Sequence, residues 1–387
     1  VDHQILLRGR GRSAGRGALL EHFWWGSVFL IAVPVMVLML VAAPALVPEF
    51  KDPENAGRAD LFSVLLSMAT LLPIVYGIKE LAKYGPQVLP ILMIVAGFAV
   101  GVVFLRRQRI LTRPLIDVEL FRRRPFSVSL ASQTLGLFAQ GAIQFLIMQY
   151  LQLVVGMSPL EAGLWTVGPL LMGIVGSLMA PRVARLTSQV YGLAFGFGLA
   201  AGGFLLILPG GLGWTVVGFT LTSFGINLGM VLVYDMILAS APRERAGTAS
   251  GMAETGNELG IALGIAVIGS LSAAVYRAQV TESNLPGIPS DAVDSAREGV
   301  GNAAAVASDL PADAADQMLR VSQDAFSSGL QTAAGVLALV TAGIAIAGVA
   351  LLRGRHAPAS DDADGSDAPE QPDDAGDERG GAPEPVG

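Results

Sequence analysis

The sequence predicts an all-α chain that crosses a lipid bilayer many times, and three observations carry that reading. Of 387 residues, 52% are hydrophobic and only 15% charged, and the mean hydropathy is +0.57; that is too apolar for two soluble domains of ordinary composition. The charges are clustered, leaving uncharged runs as long as the 49 residues of 186–234. The bases, finally, collect in alternate connecting segments. Crossing about 30 Å of hydrocarbon takes roughly 20 residues at about 1.5 Å each, and lipid offers backbone groups no hydrogen-bond partner, so every crossing is helical.

Nine spans follow in order. Residues 23–48, 61–78 and 87–105 read as single helices, the third stopping against Arg106 and Arg107. The uncharged run 126–160 is closed by the turn Gly156-Met157-Ser158-Pro159, and 162–181 is the next helix. The long run 186–234 divides at Pro209-Gly210-Gly211-Leu212-Gly213, because clustered Pro and Gly interrupt periodic segments. Residues 248–276 and 326–352 complete the set.

Lysine and arginine in short loops are retained on the cytoplasmic side. Fifteen bases fall on one side, from Lys51 and Arg58 through the cluster Arg106 to Arg124 and on to Arg353 and Arg355, while the opposite short loops hold Lys79 and Lys83. The C-terminus is therefore expected inside and the segment 277–325 outside. The formal charge of −7 is unevenly spread. The tail 356–387 holds ten acids against one arginine, segment 277–325 holds eight against three bases, and the remainder carries +7.

The tail, built from Asp, Pro, Gly, Ala and Ser without aromatics, is expected not to fold. In 277–325, Val293, Ala296, Val300, Ala303 and Ala307 recur at helical spacing; Pro311 intervenes, and Met318, Leu319 and Val321 follow. That pattern predicts two short amphipathic helices capping the bundle. Residues 1–22 fit no span, and nine spans put Arg8, Arg10, Arg12 and Arg16 on the side opposite to the other bases. The expectation is that an odd number of spans precedes residue 1.

Candidate chemistry comes from polar residues within spans, which are costly there and mark functional paths. Glu254 and Glu258 lie four apart in span 248–276, hence on one helix face with Cβ atoms about 5–6 Å apart. Each costs on the order of 2.5–3.5 kcal/mol to bury at mid-membrane. Two like charges so close in a poorly solvated site do not both ionise readily, a property suited to exchanging protons for a cation. Counting rise per residue, Glu254 is within reach of a snorkelling pair with Arg243 or Arg245, whereas Glu258 is too deep. Asp235, ending the preceding span, is a third candidate, as a coupling residue or as a helix-end partner of an arginine.

Span 126–160 carries Gln133, Gln140, Gln144, Gln149 and Gln152. Gln140, Gln144, Gln149 and Tyr150 are the candidate substrate-cavity residues, against the alternative that buried amides simply bond across helices. Phe138, Phe145 and Trp165 are aromatic walls suited to a lipophilic cation. Gly247, Gly251, Gly256, Gly260 and Gly264 form a smooth face for close helix packing, which also permits two helices to rock as a gate.

Several chemistries are excluded. With no cysteine there is no disulfide framework and no thiolate site. None of the three lysines follows a glycine, so no phosphate-binding loop of the Gly-Lys-Ser/Thr kind exists. His3, His22 and His356 lie outside the spans, which removes histidine catalysis and zinc at depth.

Three stretches together resemble a known family: Leu20-Glu21-His22-Phe23-Trp24-Trp25-Gly26 and onward to Pro34; Gln149-Tyr150-Leu151-Gln152 followed by Ser158-Pro159-Leu160-Glu161-Ala162-Gly163-Leu164; and Ala241-Pro242-Arg243-Glu244-Arg245-Ala246-Gly247. In that order they resemble the fourteen-span drug:proton antiporters of the major facilitator superfamily, the QacA, SmvA and EmrB group. The resemblance implies a membrane helix bundle in which the nine spans correspond to the last nine of fourteen. It places 23–48 as the last helix of the N-terminal half, 61–105 as two linker helices and 126–355 as the C-terminal six-helix half with its exofacial cap. It further implies a non-enzymatic exporter of hydrophobic, often cationic compounds from a bacterial cytoplasm, driven by the proton gradient without a cofactor, metal or nucleic-acid partner. Glu254 and Glu258 match the paired acids of the family's penultimate span. The family's first five spans have no counterpart here, so the alternatives are a transport-inactive membrane fragment, or an exporter of an endogenous metabolite or antibiotic.

Overall fold

The computed structural model describes residues 32–46, 60–84, 87–111, 119–242, 245–283 and 287–352. Among these, every regular element is a helix: α1 (Ala32–Leu46), α2 (Leu61–Tyr84), α3 (Val88–Ile110), α4 (Arg124–Gln149), α5 (Pro159–Leu186), α6 (Gln189–Ile207), α7 (Leu212–Ser240), α8 (Ala246–Glu282), α9 (Ser290–Arg297), α10 (Val300–Ala307) and α11 (Ala312–Leu352). Eight of them, α2 to α8 and α11, are long and apolar enough to cross a bilayer. The expected first span, 23–48, is represented by the 15 residues of α1; its remainder, the segment 1–22 and the tail 356–387 lie outside the described residues.

Turn chemistry sets the helix boundaries. Gly156 adopts a positive φ of 80°, and Ser158 then caps α5: its backbone N–H donates to Glu161 Oε2 at 2.8 Å while its Oγ accepts from Glu161 N at 3.3 Å. This reciprocal box, with Pro159 at the first helical position, satisfies two otherwise orphaned groups. The α6–α7 turn rests on Gly210 and Gly211, with φ of 77° and 84°. Four expected ends move outward. Helix α5 continues past Pro181 to Leu186, α7 runs to Ser240 and so contains Asp235 rather than ending at it, and α8 reaches Glu282. The last span begins at Ala312. Charge marks where a helix leaves the hydrocarbon, whereas the helix itself runs on until a cap or turn stops it.

The cap also differs from its expected form. Extended backbone at Gly299 splits the first predicted amphipathic helix into α9 and α10, and the second is the leading part of α11. Ala292, Ala296, Ala303 and Met318 form a small core of their own, and the Tyr276 hydroxyl donates to Ala296 O at 2.7 Å, tying the cap to α8.

Helices α4 to α8 and α11 pack as a bundle in which α6 lies on α7, α4 on α8, α5 on α7, and α11 on α6 and α8. Its centre holds Phe126, Phe197 and Phe204, all fully buried. Helices α2 and α3 form a separate hairpin that joins the bundle through α2 and α8. Its arginine-bearing end is latched by polar contacts. Arg107 donates to Asp60 Oδ2 at 2.9 Å and lies over the Phe62 ring at 4.9 Å. Ser63, fully buried, donates to Asp60 Oδ2 at 2.7 Å and accepts from Gln108 Nε2 at 2.9 Å. The hydroxyl of Ser63 and the Arg107 guanidinium hold the Asp60 carboxyl below the usual carboxylate range.

Candidate functional site

Helix α8 positions the two carboxylates through its glycines. A Cβ at Gly256 would lie 2.7 Å from Thr134 Oγ1, and one at Gly260 or Gly264 would collide with the backbone of Thr134 or Phe138. Only glycine admits α4 that closely. With this side sealed against α4, the opposite side of α8 stays open. It bears Glu254, Thr255, Glu258 and Ala262, and beyond them Gly247 and Gly251, where an added Cβ would meet nothing within 4 Å. Both glutamates are exposed.

Glu254 and Glu258 lie on an open face because the close α4 contact consumes the other side of the helix. The face is nevertheless unlike a lipid-facing one. Helix α5 exposes Leu164 (63%), Leu170 (64%) and Leu178 (71%), as hydrocarbon favours, whereas the open face of α8 offers carboxylates, a hydroxyl and small residues.

A polar chain joins this face to the bundle interior. Gln133 of α4, 1% exposed, donates from Nε2 to Asn257 Oδ1 at 2.5 Å, and Asn257 Nδ2 donates to Glu254 Oε2 at 3.2 Å. Asn257 was missed by charge-based reading because it is neutral. It was findable as an amide within the span, the criterion applied to the glutamines of α4. The anticipated pairing of Glu254 with Arg245 does not form; Arg245 bonds Glu119 at 3.0 Å instead, and Arg243 lies outside the described residues. Among the described residues, Glu258 and Asp235 have neither hydrogen-bond nor ion-pair partners, and both are exposed. Tyr234, beside Asp235 on α7, joins Ser250 of α8 at 3.0 Å.

The four predicted cavity residues differ in exposure. Gln140 is half-buried with its Oε1 unpartnered among the described residues, and Gln144, one turn on, is exposed. Tyr150, 6% exposed, belongs to the hydrophobic core. It opens the π-helical turn Tyr150–Val154 that ends the span. Gln149 lines a cavity between α2, α4, α8, α11 and the cap. Among the described residues no group of three His, Asp or Glu side chains is placed to hold a metal ion.

Comparison with known proteins agrees with a transporter architecture. The family profile of the Major Facilitator Superfamily matches residues 14–265. The multidrug efflux pump LfrA of Mycolicibacterium smegmatis is 40% identical over 347 residues, covering 87% of this chain and 67% of that protein. The chain belongs to the Major Facilitator Superfamily. Within it, the tetracenomycin C resistance and export protein of Streptomyces glaucescens is 30% identical over 349 residues, 85% of this chain and 64% of that protein. The methyl viologen resistance protein SmvA of Salmonella typhimurium is 29% identical over 352 residues, 85% of this chain and 68% of that protein. The chain thus spans about two thirds of the length of these relatives. As a major facilitator chain it is a multi-pass membrane protein of the transporter kind, and the three relatives are named for multidrug efflux, for resistance and export, and for resistance.

Proposed function

We propose that this major facilitator protein exports hydrophobic cations across a bacterial cytoplasmic membrane in exchange for protons, with Glu254 and Glu258 as the coupling pair. The observation that carries the reading is the open face of α8: two carboxylates one turn apart, among small residues, in a helix of membrane-spanning length. A face of that composition lines water or a substrate path. Alternating access then needs only that an ionised carboxylate attract the cation from one side and that a proton arriving from the other displace it. The arginine-rich loops orient the open ends of α2 and α4 and the C-terminal tail toward the cytoplasm, leaving the cap outside.

Each residue has a part in this scheme. Glu258, without a partner among the described residues, is the exchanging carboxylate. Glu254, tied through Asn257 to buried Gln133, is the anchored one, so its state is transmitted to α4. Asp235 adds a negative charge on α7 at the arginine-bearing end. No cofactor takes part.

The test is dye export. In inverted vesicles from cells producing the protein, Glu258→Gln is expected to stop proton-driven ethidium accumulation while leaving the protein in the membrane; retained coupling would remove Glu258 from the mechanism. A second reading, export of an antibiotic or metabolite, is favoured by the relative named for tetracenomycin C resistance and export. It predicts transport of an uncharged aromatic compound that Glu258→Gln leaves intact.

A further inference from the structure

The hairpin of α2 and α3 meets a different neighbour from the rest of the bundle. Protein buries only 11% of the apolar span of α2 and 22% of that of α3, against 56% for α7, so the outer surface of the hairpin is left to the bilayer. The exposed side of α3 carries Ile91, Val95, Phe98 and Val102, at steps of four, three and four residues, as one continuous apolar stripe. The next two positions in that progression are Arg106 and Arg109, both exposed. Arg106 follows Val95 by 11 residues, about 16 Å along the helix. That is about the depth of one leaflet of a hydrocarbon core roughly 30 Å thick. The stripe thus ends in charge at the level of the headgroups.

Packing within the hairpin divides its basic residues. Arg107 is taken up by Asp60 and the Phe62 ring, and Gln108, 2% exposed, by Ser63. These contacts fix the rotation of α3 about its axis and leave Arg106 and Arg109, three residues apart, on the outer side. Among the described residues neither has a hydrogen bond or an ion pair. Retention on one side of a membrane needs only their charge. Two free guanidinium groups about one turn apart, at the end of an apolar stripe, offer more. Their forked donors match the oxygens of a phosphodiester, and the stripe matches an acyl chain attached to it. A soluble phosphate would use the arginines and leave the stripe uncovered.

We propose that Arg106 and Arg109 hold the headgroup of an anionic phospholipid, with an acyl chain lying along Val102, Phe98 and Val95. Anionic headgroups are favoured over zwitterionic ones because bases close to the membrane surface attract net negative charge. The hairpin packs on α8 through α2, so the lipid braces, from outside the bundle, the helix that bears Glu254 and Glu258. The site is independent of the export reading and of any exported compound.

Absence of cysteine gives a direct experiment. In the full chain reconstituted into vesicles of dioleoylphosphatidylglycerol and dioleoylphosphatidylcholine, Val102→Cys carries a single bimane fluorophore about one turn from Arg106. Ile91→Cys carries one on the same face in the opposite leaflet. Quenching by the brominated form of each lipid in turn reads the local preference between them. Phosphatidylglycerol is expected to be preferred about tenfold at position 102 and equally with phosphatidylcholine at position 91. Combining Arg106→Gln with Arg109→Gln should abolish the preference at 102, whereas Arg122→Gln with Arg124→Gln, which removes the same charge at the start of α4, should leave it. Equal quenching by the two lipids at 102, the same preference at 91, or a preference that survives loss of Arg106 and Arg109 overturns the proposal. So does an equal fall in the Arg122 and Arg124 variant, which would make the preference a matter of net charge alone.

Discussion

The two sides of α8 are built from the same residue type and do opposite things. On one side Gly256, Gly260 and Gly264 bring α4 to backbone contact; on the other Gly247 and Gly251 touch nothing and flank the carboxylates. A five-glycine seam therefore consists of a weld and an opening, and the turn of the helix between Gly251 and Gly256 separates them. The seam was expected to serve close helix packing, and Gly256, Gly260 and Gly264 do so against α4.

The largest effect should come from breaking the weld. Gly264→Leu drives side-chain atoms into the Phe138 backbone, and overpacking of that kind costs about 3 kcal/mol or more; loss of monodisperse protein on gel filtration is the expected result. Next in size, Glu258→Gln on the open face should lower proton-driven dye efflux by about tenfold or more, roughly 1.4 kcal/mol of driving interaction, with an unchanged melting temperature. If both variants lose stability alike, the contrast between the faces is wrong.

Asn257 joins the two sides and should show an intermediate effect. Asn257→Ala leaves the Gln133 amide, 1% exposed, without its acceptor, at a cost of about 1–3 kcal/mol. The double variant Gln133→Leu with Asn257→Leu should recover much of that stability without recovering efflux, a non-additivity read by thermal melts and transport on the same four proteins.

Asp60 gives a reference carboxylate with fixed partners. Its folded pKa is lowered from 3.8 by Ser63 and Arg107, so the latch contributes stability above 3.8, and this is lost as pH falls through the lowered folded value. Hydrogen exchange at the α2–α3 end should accelerate on that acid descent, and Asp60→Asn should abolish the step. The smallest effect belongs to the opening itself. Gly251→Ala, with no atom within 4 Å, should change stability by less than about 0.5 kcal/mol.

Much of the fold was legible because crossing a membrane imposes a one-dimensional code. Uncharged runs located α2 to α8 and α11, and glycine and proline turns located the connections at Gly156 and Gly210, where positive φ demands glycine. Helix ends were less legible: Asp235 looked terminal because charge was read as an end, while the backbone continued to Ser240. The site was half legible. Glu254 and Glu258 stood out as carboxylates in a span, but Asn257 carries no charge and Gln133 lies 124 residues away, so their junction was not.

Composition and order therefore carried the membrane architecture, since solvation by lipid acts on each segment separately and needs no knowledge of its neighbours. Packing assigned the rest. Which glycines are contacts, that Tyr150 is core while Gln149 lines a cavity, and that Arg245 bonds Glu119 rather than Glu254 all depend on how far apart two helices stand. That spacing is a property of helix pairs, set by the smallest side chains where they cross, and no single segment contains it.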